Sequence, residues 1–238
     1  MENLPVYINI GFVIITVLTV WFFYKATNYS KLVMVIIVAW LIIQTIISLT
    51  GFYTITKTTP PRFLLLVLPP LFIIVFLLTT NKGRQFIDDL DVKTLTLLHV
   101  IRIPVELVLF GLFINKTIPE IMTFEGRNLD IFSGITAPFI YYFGFIKKTL
   151  DKKILLAWNF ICLALLINIV ATAILSAPFT FQKLAFDQPN VAILYFPFVW
   201  LPCFIVPIVL LSHLVSIRHL FRQAKNISNH PIATRALS

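Results

Sequence analysis

Apolar residues dominate this chain in long unbroken runs, separated by short polar stretches that hold most of its Lys and Arg. A helix needs roughly 20 residues to cross about 30 Å of hydrocarbon. Seven runs are read as crossings, at about 5–24, 32–53, 62–80, 95–114, 131–146, 154–176 and 192–217. They are continuous rather than alternating, which predicts helices and argues against a β-barrel. The expected fold is all-α, a polytopic bundle of seven transmembrane helices forming a single domain over 1–238, with a basic tail at 218–238. The fifth run is short and carries Ser133, Gly134, Thr136 and Pro138, so it must lean on its neighbours.

Positive charge gives this bundle a direction. Thirteen Lys and Arg fall on one side: Lys25 and Lys31; Lys82, Arg84 and Lys93; Lys147, Lys148, Lys152 and Lys153; Arg218, Arg222, Lys225 and Arg235. Five fall on the other: Lys57, Arg62, Lys116, Arg127 and Lys183. The positive-inside rule then predicts an outer N-terminus and a cytoplasmic C-terminus, in an inner or plasma membrane. The first run lacks a basic n-region and a small-x-small cleavage site, so it is read as a retained span.

Composition narrows the class further. The chain is 59% hydrophobic and only 12% charged, far below the charge of a soluble domain. Its net charge of +9 is explained by loops facing anionic lipid, so nucleic acid is not expected as a partner. Cys162 and Cys203 both lie in apolar runs and read as small buried hydrophobes. Residues 81–94 predict a short interfacial helix, with Phe86, Ile87 and Leu90 toward lipid and Asp88, Asp89 and Asp91 in water.

The fourth run breaks the apolar pattern with His99, Arg102 and Glu106. On a helix these three fall within about 60° of one another. From a start near Leu95, Glu106 lies roughly 16 Å deep, Arg102 about 10 Å and His99 about 6 Å. A charge at such depth costs a few kcal/mol even on lenient scales, about 2.5–3.5 for Arg, which marks the stripe as a functional candidate. A plain structural alternative is an i, i+4 ion pair between Arg102 and Glu106 that locks helix packing. The functional reading is a pocket in which Arg102 holds an anionic group and Glu106 accepts or moves a proton. Gln44, Tyr141, Tyr142 and Asn168, at compatible depth, are expected to complete it.

Other features suggest further roles. Pro69-Pro70 and the series Pro197, Pro202 and Pro207 break the third and seventh runs, as in pocket walls and hinges. In the loop at 118–130, Gly126 suits a tight turn and Asn128 or Asp130 a helix cap, while Arg127 and Glu125 are candidates for an outer gate. His99 and His213, at matched depth on different helices, are the residues that would ligate a haem or a metal; the leading reading needs no cofactor.

The leading expectation is a membrane protein that binds or transports a small anionic or amphiphilic molecule, coupled to protons through Glu106. It leans away from an enzyme, since GxSxG, HExxH and P-loop motifs are missing. Two alternatives stand beside it. One is a membrane-embedded enzyme or redox protein using His99 and His213. The other is a sensor or assembly partner, alone or as a homo-oligomer, whose basic segment Arg218–Lys225 contacts proteins or lipid.

Overall fold

The computed structural model describes residues 4–229, with side chains described as far as Arg222. Lys225, His230 and Arg235 lie outside the described side chains. Among the described residues the fold is entirely helical. Helices α1 (Val6–Ala26) and α2 (Lys31–Leu49) form a hairpin through Asn28 and Tyr29, whose φ values of 53° and 60° reverse the chain. Helix α3 (Leu64–Thr79) ends where Thr80 caps α4 (Asn81–Asp88), and the two meet at 92°. Gly83 is required at that corner, because a Cβ there would sit 2.5 Å from the Cα of Leu77.

Asp91 caps α5 (Val92–Leu98), accepting from the backbone of Lys93 and Thr94. After α5 the chain tightens into a 3-10 turn at His99–Ile101 before continuing as α6 (Arg102–Ile114). Pro104 accounts for the tightening: it has no N–H for the carbonyl of Val100, and its ring crowds that carbonyl. Helix α7 (Ile131–Phe139) contains Pro138 and widens into a π-helical stretch at Ile140–Ile146. It is followed by α8 (Lys152–Ser176), and a π-helical turn at Leu201–Ile205 leads into α9 (Val206–Asn229).

Burial ranks the helices. Among the long apolar helices the span Leu201–Arg222, which holds the described part of α9, is the most enclosed at 61% buried, whereas α2 and α8 reach 22%. Thus α9 packs centrally against α5 and α8, while α1 covers α5 and α6. Helix α7 lies against the 99–101 turn and α6, approaching closely because Gly134 has no side chain: a Cβ there would lie 2.8 Å from Ile103 Cγ1 and 3.0 Å from its backbone nitrogen. Helix α2 is fastened by two indoles. Trp40 Nε1 donates to the Cys203 carbonyl at 3.0 Å, and Trp200 Nε1 donates to the Leu41 carbonyl and to Thr45 Oγ1. Outward-facing side chains on α1 to α3 are largely apolar, among them Leu32, Val35, Ile36 and Phe72.

Several sequence expectations change. Five helices are long and apolar enough to cross a membrane: α1, α2, the continuous α5–α6 rod, α8 and Leu201–Arg222. A sixth is added if the bent α3–α4 pair counts as one span, and the 131–146 helix is shorter. By length and composition, the described residues thus supply five to six candidate spans. The second run ends at Leu49, and Gly51 at φ 73° turns the chain into a separate 3-10 turn at Phe52–Thr54. The seventh run is broken: a 3-10 turn at Ala192–Leu194 is separated from the π-helical turn at Leu201–Ile205 by a stretch holding Pro197, which has no N–H to donate. Ile87 and Leu90 point inward and are buried instead of facing lipid. Asp88 is not merely solvated: it accepts from Arg218 Nε at 2.9 Å and Nη2 at 3.1 Å and also pairs with Arg222. Those two arginines are thus engaged within the fold. Cys162 and Cys203 are buried free thiols.

Candidate functional site

Four buried residues converge on the ionisable stripe: Asn128 and Asp130 from one loop, Asn159 from α8 and His213 from α9. Glu106, Arg102 and His99 face the bundle interior, exposed by 2%, 3% and 0%. The loop after α6 folds inward and brings Asn128 and Asp130 to them, with Gly126 allowing its backbone to pass the Glu120 carbonyl. Arg102 is gripped on both edges of its guanidinium. Nε donates to Asp130 Oδ2 at 2.7 Å and Nη2 to Asp130 Oδ1 at 2.5 Å. Its Nη1 donates to His213 Nε2 at 3.1 Å, and Nη2 also reaches the Cys162 carbonyl at 3.3 Å. Arginine has only donors, so Nε2 of His213 accepts, and its Nδ1–H donates to Asn159 Oδ1 at 3.0 Å. This network fixes a neutral His213.

Glu106 has a different environment. Asn128 Nδ2 donates to its two carboxylate oxygens at 2.6 and 2.7 Å, and to the Met122 carbonyl at 3.0 Å. No cation pairs with Glu106 among the described residues. The i, i+4 pair with Arg102 does not form, because Asp130 occupies that guanidinium in a bidentate fork. Asp130 consequently makes no side-chain cap to α7, contrary to the capping expectation. The Asp130 amide in turn donates to Asn128 Oδ1 at 3.0 Å, joining both carboxylates in one network.

His99 stacks on His213 with centroids 4.0 Å apart and an interplanar angle of 19°, and meets the edge of Trp158. Trp158 Nε1 donates to Thr136 Oγ1 at 2.8 Å. Both ring nitrogens of His99 lack a hydrogen-bond partner among the described residues. Arg102, Glu106 and Asp130 line a cavity of about 60 Å³ whose opposite wall is aliphatic, including Leu166, Ile169, Ile205 and Val209. A buried water needs roughly 10–15 Å³ on this scale, so the space suits a few waters or a small ion.

The remaining predicted site residues lie elsewhere. Gln44 accepts from Tyr53 Oη at 2.5 Å, at the far end of α2. Tyr142 is 43% exposed with Lys147 over its ring, and Tyr141 takes no part in the cluster's hydrogen bonds. Asn168 faces outward and donates to the Arg127 carbonyl at 3.2 Å. The side chains of Arg127 and Glu125 are exposed and border neither the cluster nor its cavity, so the inward fold of the loop delivers their neighbours instead. A shared haem or metal does not fit the histidines as arranged. Their rings are face to face, so their nitrogens do not converge, and both nitrogens of His213 are already engaged.

Residues 60–221 match a family model described as a domain of unknown function, DUF8737. That match covers more than half of the chain. The chain belongs to the DUF8737 family. Every member of the cluster, from His99 to His213, lies inside the DUF8737 segment, whereas α1 and α2 precede it. No curated protein and no solved structure matches the chain.

Proposed function

We propose that this DUF8737 protein is a multi-pass protein of the inner or plasma membrane that binds or transports a small molecule with proton coupling at Glu106. The observation that carries the reading is the asymmetry of the two buried acids. Asp130 has the guanidinium; Glu106 has a neutral amide and a cavity. Burying an unpaired carboxylate is unfavourable by several kcal/mol unless a proton or cation neutralises it. Glu106 therefore exchanges a proton or a cation, and Arg102 becomes available to an anion only when Asp130 lets go. The topology proposed is an outer N-terminus and a cytoplasmic C-terminus, supported by the distribution of Lys and Arg. Seven crossings require the short 131–146 helix to complete one.

The test is made on purified protein in proteoliposomes containing a pH-sensitive dye. A panel of small carboxylates and phosphates should include a solute that drives proton uptake in the wild type and none that does so in Glu106→Gln. Infrared difference spectra should lose a protonated-carboxyl band in the same variant. Spectra and uptake identical in the two proteins would overturn the proposal.

A further inference from the structure

A second cavity lies at the other end of the bundle from the 128–130 loop. It encloses about 560 Å³ where the α4–α5 junction, the π-helical end of α7, the start of α8 and the late turns of α9 meet. This volume falls in the range of small-molecule sites, about 300–1,000 Å³. Lys93, Lys148 and Lys152 all line it, together with His219. The one carboxylate in the lining, Asp91, is occupied at the α5 N-terminus, accepting from the backbone of Lys93 and Thr94 and from Thr94 Oγ1 at 2.6 Å. Three lysines thus border a space whose lining holds a single, already engaged carboxylate. Leu150, Phe145 and Leu220 supply an apolar side.

The backbone holds this arrangement open. The π-helical turns end in a reversal where Lys148 adopts φ 55°, a left-handed conformation that a side-chain-bearing residue rarely takes. The reversal is pinned by Lys147 N–H to the Tyr142 carbonyl and Thr149 N–H to the Phe143 carbonyl. Gly144 lies against Leu155, where a Cβ would come within 2.8 Å of Cδ2, so the α7–α8 wall is closely packed there. Lys147 is turned away over Tyr142 and is not part of the lining.

We infer that this cavity is a binding site for a phosphate group, held by Lys93, Lys148 and Lys152. A phosphate carries enough negative charge to meet several ammonium donors at once. Its source is either the headgroup of an anionic lipid, with the apolar side receiving the glycerol and upper chain, or a free phosphate. This site is separate from Glu106 and does not depend on the function proposed for it.

Native mass spectrometry of the full-length protein separates the sources. Wild-type protein is exposed to phosphatidylglycerol, to phosphatidylcholine and to inorganic phosphate. Selective retention of phosphatidylglycerol assigns a lipid; binding of inorganic phosphate without lipid retention assigns the free anion. In either case Lys93→Gln/Lys148→Gln/Lys152→Gln should reduce binding at least tenfold, while Lys25→Gln/Lys31→Gln/Lys82→Gln on the same side of the bundle should leave it within twofold. Circular dichroism checks the fold, and if the triple variant fails to fold, Lys152→Gln alone should still lower retention several-fold. Equal retention of both lipids with no phosphate binding, or equal effects of the two triple variants, overturns the inference.

Discussion

Arg102 and Asp130 form a buried ion pair whose two charges were drawn from water at considerable cost, so the pair is sensitive to removal of one partner. Asp130→Asn should destabilise the protein by about 3–5 kcal/mol, read as a lower denaturation midpoint in detergent. Replacing both, as Arg102→Met with Asp130→Leu, should recover most of that loss. His99 presents the opposite case. Its imidazole is fully buried with both nitrogens unpartnered, a condition that costs roughly 1–3 kcal/mol. His99→Leu should therefore raise the denaturation midpoint in detergent, and a variant that melts lower would contradict this account. The stripe of His99, Arg102 and Glu106 was legible because charges stand out against an apolar run. Asp130 was not, because beside Arg127 and Asn128 it resembles ordinary loop polarity. Asn159 carried a usable signal: it is an amide inside an apolar run, the same criterion that selected Asn168, and only the helix rotation distinguishes the inward residue from the outward one.

At the scale of helices, continuous apolar runs located most of the rods, but prolines decided where they break. The 3-10 turn at 99–101 follows from Pro104, and that turn is where α7 comes closest. Gly134 makes the approach possible, so Gly134→Ala should push α7 outward and cost about 1–3 kcal/mol through overpacking. The Arg102–Asp130 pair should loosen in the same variant, seen as faster hydrogen exchange at the start of α7. Sequence reasoning recognised Gly134 as a packing residue of a short helix. It had no means of identifying Ile103 as the contact, because helix-to-helix pairing is not encoded in the periodicity of either helix alone. The end of α2 at Leu49 was hidden for a related reason: apolar residues continue past Gly51, and only the positive φ there separates helix from turn.

Across the whole molecule, Asp88 links the α3–α4 corner to the end of the most enclosed helix. The hydrogen bond from Arg218 outweighs the penalty from burial and, with a further contribution from Arg222, holds its carboxyl below the ordinary carboxylate range. A group lowered in this way stabilises the folded state above its unfolded value of about 3.9, and the contribution disappears as pH falls through the folded value. The contact is partly exposed, so its contribution is at most about 1 kcal/mol. Asp88→Asn should lower the melting temperature at pH 7 by a small amount and flatten the dependence below about pH 4. Wild-type and variant curves that remain parallel through that interval would show that the contact does not stabilise the fold.

The indole clasp of α2 has a practical consequence. Trp200 immediately precedes the π-helical turn whose Leu201 and Ile205 wall the buried cavity, and Trp40 holds that turn from the opposite side. Any opening that enlarged the cavity by shifting Leu201–Ile205 would alter the surroundings of these two rings, while Trp158 registers events beside the histidine stack. With only four tryptophans in the chain, the protein carries an intrinsic optical reporter of any such opening, readable by ultraviolet emission without attaching a dye.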